Sequence, residues 1–218
     1  MQILITAGPT REAVDPVRFL TNRSSGKMGY ALAEASVEAG HEVTLVTGPV
    51  ALAALENVTM VKVESAQEMW EAVRKLCEDG APDIAIHAAA VADYRPKSVQ
   101  SQKIKKHGAT LTLELERTPD VLGSMRSVFG FPGYLVGFAA ETEHLVVNAM
   151  GKLERKGCDM VVANDVSRED TGFDSGENEV ILCFPSGKTE LLPKQSKRSL
   201  AREIIRRVVA LAAEKANS

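Results

Sequence analysis

The stretch Ile3-Leu4-Ile5-Thr6-Ala7-Gly8-Pro9 decides the fold class. A short apolar run that ends at a Gly-Pro pair predicts a buried strand followed by a turn. Buried strands of this kind are typical of parallel sheets, in which helices connect one strand to the next. A chain that alternates such strands with helices would therefore be an α/β protein.

The rest of the chain does alternate between strand patterns and helix patterns. Further strands are predicted at residues 43–47, 58–63, 84–88, 134–138 and 160–163, with a hairpin at 180–184 and 189–192. Helices are predicted at about 27–39, 65–80, 143–156 and 200–211. The order predicts a Rossmann-like, doubly wound α/β fold, with a mostly parallel sheet, helices on both faces and antiparallel additions.

Three local patterns add detail to this prediction. In residues 111–115 leucine alternates with threonine and glutamate, which predicts a strand with one solvent-exposed face. The sequence Thr118-Pro119-Asp120 predicts a helix start with proline as the first helical residue. Ser65 and Glu68 have the spacing of a capping box.

Length and composition limit the class of protein. The chain has 218 residues, of which 44% are hydrophobic and 25% charged, and its formal net charge is -3. These values exclude a disordered chain and give no whole-protein attraction to nucleic acid or to an anionic membrane. Three widely spaced cysteines, without a CxxC pair or a signal peptide, predict a cytoplasmic setting. We expect one domain over residues 1–218, with a protruding flap at about 91–118.

Small and polar residues follow several of the predicted strands. In an open α/β sheet, ligands bind beyond the carboxyl ends of the strands. The segments at that edge would be residues 8–11, 22–27, 88–93, 139–141 and 164–165. Because all of them would meet at one edge of the sheet, the sequence predicts a single pocket there.

The segment from Asn22 to Gly29 allows two interpretations. Serine and glycine before a helix leave backbone N–H groups that suit an anion such as a triphosphate. The same residue types also form an ordinary capped helix start. The segment is not a Walker A loop, because Thr21 and Met28 stand where that motif needs glycine and serine or threonine.

The basic residues and the histidines are ambiguous when taken alone. Charge runs such as Lys103-Ile-Lys105-Lys106 are usually solvated, and Lys152 and Lys156 share one face of a helix near its end. His41, His87, His107 and His144 do not have metal-ligand spacing, and each is best interpreted as structural. No GxSxG motif supports acyl transfer through a serine.

Eight motifs that occur in a fixed order are more specific than any one of them. They span residues 5–12, 15–18, 22–29, 88–95, 103–106, 118–120, 137–142 and 163–166. Together they resemble the phosphopantothenate–cysteine ligases of coenzyme A biosynthesis, over nearly the whole chain. The resemblance implies that a nucleotide activates 4′-phosphopantothenate as an acyl-nucleotidyl intermediate, which L-cysteine then attacks.

The resemblance also implies roles for particular residues. Asn22 and Lys103 would be catalytic, Asn22 by holding the acyl intermediate and Lys103 by holding the phosphates. Asp93 would meet the ribose or a Mg²⁺ ion. The nucleotide would be bound by Ser24, Ser25, Gly26, His87, Ala88, Ala89, Asp93, Lys103, Pro119, Asp120, Val121, Leu122, Phe138, Lys152 and Lys156.

Further expectations concern the co-substrate and the assembly. The motifs are of the bacterial type, which favours CTP over ATP, and a triphosphate needs Mg²⁺ for charge neutralisation. The family forms homodimers in which the flap reaches the partner's substrate, and the edge at residues 111–115 is a candidate contact. Many bacterial relatives carry a flavin-dependent decarboxylase domain ahead of this one, whereas Met1 here opens directly on a strand.

Two other functions remain as alternatives. An NAD(P)-dependent reductase of doubly wound fold would need a glycine fingerprint after the first strand and a Tyr-x-x-x-Lys pair, and the sequence has neither. A nucleotide-sensing dimer would bind CTP without releasing pyrophosphate.

Overall fold

The computed structural model describes residues 1–106, 108–165 and 176–217. His107 and Val166, which belong to the sequence predictions, lie outside the described residues. The helices are α1 (Lys27–Glu38), α2 (Ala66–Gly80), α3 (Val121–Ser127), α4 (Leu145–Lys156) and α5 (Lys197–Ala216). The strands are β1 (Gln2–Ala7), β2 (Arg11–Ala13), β3 (Phe19–Thr21), β4 (Glu42–Thr47), β5 (Thr59–Lys62), β6 (Ile84–His87), β7 (Tyr94–Pro96), β8 (Leu115–Arg117), β9 (Tyr134–Glu141), β10 (Met160–Asp165), β11 (Glu177–Cys183) and β12 (Thr189–Ser196).

Eight of these strands form one sheet, in the order β12-β11-β10-β9-β6-β1-β4-β5. The strands from β10 to β5 run parallel to their neighbours. At the other edge, β11 and β12 pair antiparallel, as the predicted hairpin requires. The prediction of a Rossmann-like, mostly parallel sheet with antiparallel additions is therefore confirmed.

Alternate residues of β1 enter two separate hydrophobic layers. Ile3 and Ile5 pack in a cluster with residues of α1 and α5, on one face of the sheet. Leu4 packs in a second cluster with residues of α2, α3 and α4, on the other face. Helix α1 lies so close to β1 that a Cβ on Gly29 would be 2.4 Å from the Cβ of Ala7. The continuous apolar run of β1 thus reflects burial on both faces.

The predicted strand at residues 111–115 is largely wrong. The strand in this region is β8, which pairs antiparallel with β7 in a separate two-stranded sheet. Leu111 is 56% exposed and Leu113 is 37% exposed. The alternation supplies an apolar face, but these leucines stay exposed among the described residues, so burial does not fix residues 111–114 as a strand.

Three helix starts differ from their predictions. Asp120 is the N-cap of α3, since its carboxylate accepts a hydrogen bond from the N–H of Gly123 at 2.8 Å, and Pro119 therefore precedes the cap. Ser65 caps α2 as predicted, but the Glu68 carboxylate accepts from the N–H of Glu64 rather than from that of Ser65. Helix α4 begins at Leu145, two residues later than predicted.

None of the helices in the described ranges is long and apolar enough to cross a bilayer.

Candidate active site

Two cavities open at the edge where the parallel strands end. The outer cavity, of about 500 Å³, is lined by Thr6, His87, Ala89, Val91, Ala92, Asp93, Tyr94, Arg117, Thr118, Pro119, Asp120, Val121, Leu122, Phe138, Lys152 and Lys156. The inner cavity, of about 370 Å³, is lined by Asn22, Ser24, Ser25, Gly26, Lys27, Met28, Gly29, Ala88, Ala89, Ala90, Val91, Asp93, Phe138, Ala139, Ala140, Lys152, Asn164, Asn178 and Lys197.

The two cavities adjoin and share part of their walls. Ala89, Val91, Asp93, Phe138 and Lys152 line both of them. One extended ligand could therefore occupy both, with its middle beside the Asp93 carboxylate and the Lys152 ammonium. The cavities are lined by residues of the predicted segments 22–27, 88–93, 139–141 and 164–165, but by none of residues 8–11, and they are two adjoining cavities rather than the single pocket predicted.

The segment from Ala88 to Ala92 is held by hydrogen bonds to its neighbours. The hydroxyl of Thr6 accepts from the N–H of Ala89 at 3.3 Å, and the hydroxyl of Thr10 accepts from the N–H of Ala92 at 3.0 Å. The N–H of Ala90 donates to the carbonyl of Gly8 at 2.9 Å. These bonds fix the floor that the two cavities share.

Asn22 is tied to the same segment. Its Nδ2 donates to the carbonyls of Ala90 and Val91, each at 3.1 Å. Because these contacts use the amide nitrogen, the Oδ1 atom is the part of the side chain that remains for a ligand. The residue is exposed at the rim of the inner cavity.

The start of α1 favours the anion-binding interpretation over the capped-helix one. Its N-cap is Gly26, with a φ of 75°, and no side chain caps the helix there. Ser24 accepts from the N–H of Gly26 through its hydroxyl at 3.4 Å, which shapes the turn before the helix. A helix start without a side-chain cap, facing a cavity, is well suited to phosphate oxygens.

Lys156 and Asp120 form an ion pair at the wall of the outer cavity. Burial alone would raise the pKa of Asp120, but the hydrogen bonds from Lys156 and from the N–H of Gly123 outweigh it, and the pKa lies below its usual range. The Asp120 carboxylate therefore stays ionised and joins the start of α3 to the end of α4.

Lys152 lies deeper, at the boundary between the cavities. Its Nζ donates to the carbonyl of Phe138 at 2.6 Å. Burial lowers the pKa of Lys152, and the nearby Cys158, Glu141 and Asp120 offset part of that effect. An anionic ligand between the cavities would stabilise this partly desolvated ammonium.

His87 is buried at the end of β6 and lines the outer cavity. The side chain is 7% exposed, and its Nε2 has no hydrogen-bond partner among the described residues. Burial lowers the pKa of His87 to about 4, an effect that Asp120 opposes and Lys152 reinforces. The imidazole is therefore neutral near pH 7.

Asp93 is exposed and faces both cavities. Within residues 1–106, 108–165 and 176–217, no group of three or more histidine, cysteine or acidic side chains could hold a metal by itself. A Mg²⁺ ion at Asp93 would thus take most of its ligands from phosphate oxygens and water, which is how Mg²⁺ is usually bound beside nucleotides. The residues present fit that arrangement.

Lys103 lies outside both cavities and is exposed. The residue after it, Ile104, donates its N–H to the Asp15 carboxylate at 3.0 Å and accepts from Arg18 at 3.1 Å. The Arg18 guanidinium holds the pKa of Asp15 well below its usual range, against the effect of burial. This ion pair anchors the flap on the turn between β2 and β3, and Lys103 lines neither cavity of its own chain.

The remaining predicted residues lie together. Ser24, Ser25, Gly26 and Ala88 line the inner cavity, Pro119, Asp120, Val121 and Leu122 line the outer one, and Ala89 and Phe138 line both.

The sequence model of the family described as the DNA/pantothenate metabolism flavoprotein C-terminal domain matches residues 1–211. The chain belongs to this family.

Relatives of the flavoprotein C-terminal domain family agree with that assignment. The chain is 48% identical over 211 residues to the coenzyme A biosynthesis bifunctional protein CoaBC of Vibrio vulnificus strain YJ016, covering 96% of this chain and 52% of that protein. The CoaBC protein of Bacillus subtilis strain 168 is 46% identical over 210 residues, covering 96% and 51%. The chain thus spans about half the length of the curated relatives it matches.

Solved structures of other proteins have the same fold. The crystal structure of the C-terminal domain of a CoaBC protein superposes with a TM-score of 0.82 at 44% identity, covering 98% of this chain and 96% of that one. A variant of Cab2 in complex with phosphopantothenate-cysteine superposes with a TM-score of 0.81 at 18% identity, covering 99% and 87%. Because its sequence identity is only 18%, the match to Cab2 shows a shared fold and carries no conclusion about function.

Several site residues of this family member were not predicted from the sequence. Thr6, Thr10 and Thr118 fix the shared floor, the last by donating its hydroxyl to the carbonyl of Ala92 at 2.5 Å. Asn178 and Lys197 line the inner cavity. Hydroxyl residues near the ends of strands could have identified the threonines as site residues. Lys197 comes directly after a helix cap, and a lysine in that place has no recognisable sequence pattern.

Proposed function

We propose that the chain joins 4′-phosphopantothenate and L-cysteine through an acyl-nucleotidyl intermediate. The observation that carries the proposal is the pair of adjoining cavities, which meet at Asp93 and Lys152. The outer one has the size and the partly apolar wall that suit a nucleoside. The inner one has an uncapped helix start that suits phosphates. The CoaBC names of the relatives support the same activity.

In the first step, a carboxylate oxygen of phosphopantothenate attacks the α-phosphorus of the nucleotide. A bond forms between that oxygen and phosphorus, the bond to the β-phosphate bridge breaks, and pyrophosphate leaves. No protein nucleophile is required, so the site needs only to position the reactants and to offset negative charge. Lys152 and the start of α1 supply positive potential at that place.

In the second step, the amine of cysteine attacks the activated carbonyl carbon. An amide bond forms, the carbon–oxygen bond to the nucleotide breaks, and the nucleoside monophosphate leaves while the amine loses a proton. Asn22 lies at the rim of the inner cavity, with its Nδ2 held by two carbonyls. Its Oδ1 would orient the amine or the intermediate during this step.

CTP and Mg²⁺ complete the proposed reaction. The pattern of motifs favours CTP over ATP, and the base would lie among Pro119–Leu122 and Phe138 in the outer cavity. Asp93 is the residue that would hold Mg²⁺, and the bound ion would supply positive charge that lowers the negative charge the carboxylate of phosphopantothenate must approach.

A homodimer would explain the position of Lys103. Exposed apolar side chains cluster in sequence near the flap and the β2–β3 hairpin, namely Phe19, Tyr94, Val99, Leu111, Leu113 and Leu115. Exposed apolar patches of this kind mark interaction surfaces. If this surface pairs two copies, the flap at 91–118 could bring Lys103 to the partner's phosphates. Residues 1–218 would then be one synthetase domain acting as a pair.

A pyrophosphate-release assay tests the proposed function. With Mg²⁺, 4′-phosphopantothenate and CTP, we expect pyrophosphate in amounts close to the enzyme concentration, and continuous release once cysteine is added. ATP in place of CTP should give a lower rate. CTP binding without pyrophosphate release would support a nucleotide-sensing dimer instead and would contradict the ligase.

A further inference from the structure

The ion pair between Lys156 and Asp120 lies in the wall of the cavity that is proposed to hold the nucleoside. Lys152 lines the same cavity and precedes Lys156 by about one turn of α4. Two lysines with this spacing repel each other unless a negative charge lies close to both. The Asp120 carboxylate supplies that charge, since both ammonium groups act on it electrostatically. An acid of the chain thus stands where an anionic ligand would also be attracted.

The two oxygens of Asp120 have separate partners. Oδ1 accepts from the N–H of Gly123 at 2.8 Å and caps α3, whereas Oδ2 pairs with the Nζ of Lys156. A helix cap requires an acceptor oxygen and no charge, since asparagine and serine cap helices about as well as aspartate does. The helix therefore does not need the negative charge of Asp120, and the group that this charge binds is the ammonium of Lys156.

Of the two partners, Lys156 is the one that can move. The cap fixes the Asp120 carboxylate on α3, whereas Lys156 is the last residue of α4, directly before Gly157 ends the helix. The lysine ammonium lies at the end of a flexible four-carbon chain, so it can turn from the carboxylate toward a ligand in the cavity. An anion that takes Lys156 must break or share the ion pair, and the free energy of the pair is then subtracted from that of binding.

We propose that the Asp120 carboxylate competes with the nucleotide for Lys156 and thereby weakens nucleotide binding. The proposal rests on the proposed function and adds a contact that regulates affinity at the same site. Tighter binding of the nucleotide would not by itself speed the reaction, because only interactions that strengthen in the transition state do so. Products must leave after each cycle, and a carboxylate that regains Lys156 favours the departure of the product that held it.

Equilibrium binding of CTP tests the competition without the need for turnover. Calorimetry in the presence of Mg²⁺ compares Asp120→Asn, which retains a capping side chain, with the wild-type chain. We expect Asp120→Asn to bind CTP roughly two- to fivefold more tightly, the range for removal of a half-exposed ion pair together with its repulsion of the ligand. Loss of a favourable ligand contact would change the affinity in the opposite direction.

A double-mutant cycle shows whether the effect passes through Lys156. Lys156→Met should bind CTP more weakly than the wild-type chain. Adding Asp120→Asn to Lys156→Met should give little further change, since the ammonium for which carboxylate and nucleotide compete is gone. Steady-state kinetics add a readout that a purely structural role would not move, because the KM for CTP should fall in Asp120→Asn with no increase in kcat.

The matched control is Asp79→Asn, which removes another aspartate–lysine ion pair. Asp79 pairs with Lys75 at 2.7 Å on α2 and lines neither cavity, so this variant should bind CTP as the wild-type chain does. If Asp120→Asn does not fold, Asp120→Ser takes its place, since serine also caps helices and carries no charge.

Two results would overturn the competition. Unchanged or weaker CTP binding by Asp120→Asn would show that the carboxylate does not oppose the nucleotide. An equal gain in affinity with and without Lys156 would show that Asp120 only repels the ligand and does not compete for this lysine. If no ligation occurs but Asp120→Asn tightens CTP binding through Lys156, the proposed function is contradicted and the competition stands.

Discussion

At the scale of single residues, Asn22 holds the site together with one end of its amide and leaves the other end for the proposed ligand contact. Its Nδ2 joins the segment before α1 to the carbonyls of Ala90 and Val91. The amide nitrogen therefore holds the segments that line the inner cavity together, and the amide oxygen is the atom proposed to contact a ligand. The sequence identified the residue through a family motif, but the two carbonyl partners follow only from the fold.

Replacing Asn22 with aspartate should impair catalysis strongly. Asn22→Asp removes two hydrogen bonds to carbonyls and places a negative charge beside the phosphates. We expect the ligation rate to fall by roughly a hundredfold or more, as is typical when one precise electrostatic contact is lost. Steady-state kinetics of pyrophosphate release measure the change, and Asn57→Asp in an exposed turn is the control. Full activity of Asn22→Asp would remove the residue from the site.

The buried His87 predicts a pH dependence of stability. Histidine in the unfolded chain titrates near 6.5, whereas burial lowers the pKa of folded His87 to about 4. Between these values the unfolded chain binds more protons, so stability is present above about pH 6.5 and is lost as the pH falls toward 4. From pH 7 to pH 5 the contribution is about 2 kcal/mol by linkage.

Urea unfolding at both pH values measures this effect. The wild-type chain should lose about 2 kcal/mol more than His87→Gln between pH 7 and pH 5. Equal losses in the two proteins would mean that folded His87 takes up a proton as readily as it does in the unfolded chain.

At the scale of elements, the short helix α3 depends on Asp120 in two ways. The carboxylate caps the helix through the N–H of Gly123 and also pairs with Lys156. Gly123 leaves room for this cap, since a Cβ there would lie 2.4 Å from an oxygen of Asp120. The cap therefore fixes the wall of the outer cavity against which the nucleotide base is proposed to lie.

Two substitutions at Asp120 separate these contributions. Asp120→Ala removes the cap and should lower the free energy of unfolding by about 1 kcal/mol. Asp120→Asn keeps a capping side chain and loses only a half-exposed ion pair, so its stability should stay within about 0.5 kcal/mol of the wild-type value. Chemical denaturation of the three proteins provides the comparison, and equal losses for both variants would show that the cap does not stabilise α3.

Elements with local signals were predictable, and elements that depend on distant partners were not. Strand β1 and helix α1 were predicted within one or two residues, because the sequence itself has a continuous apolar run at β1 and a 3.6-residue hydrophobic period at α1. The strand predicted at 111–115 was wrong except at Leu115, which lies in β8, because the leucines before it alternate but remain exposed. The position of Lys197 on the inner cavity was missed because it depends on how α5 packs in the fold and not on a local sequence pattern.

At the scale of the whole molecule, the flap separates Lys103 from the other candidate catalytic residues. The chain holds Asn22, Asp93 and Lys152 around its own inner cavity, whereas Lys103 lies outside it. Apolar side chains near the flap are exposed, including Leu111 and Leu113. A pair of chains would cover this surface and complete each site with a lysine of the partner, as the proposed homodimer requires.

Mixed dimers test whether Lys103 acts across such an interface. Lys103→Gln and Asn22→Asp should each be nearly inactive as homodimers. After co-expression in equal amounts, about half of the dimers would be mixed, and each of these would contain one intact site, so activity should recover to about a quarter of the wild-type value. A mixture as inactive as its parents would place Lys103 in the site of its own chain or outside the reaction.

The origin of the oxygen in the released nucleotide tests the acyl-nucleotidyl route most directly. Phosphopantothenate whose carboxylate carries heavy oxygen is converted with CTP and cysteine, and the products are examined by mass spectrometry. Attack on the α-phosphorus predicts one heavy oxygen in each CMP formed and none in pyrophosphate. CMP without the label, or label in pyrophosphate or phosphate, would contradict the account.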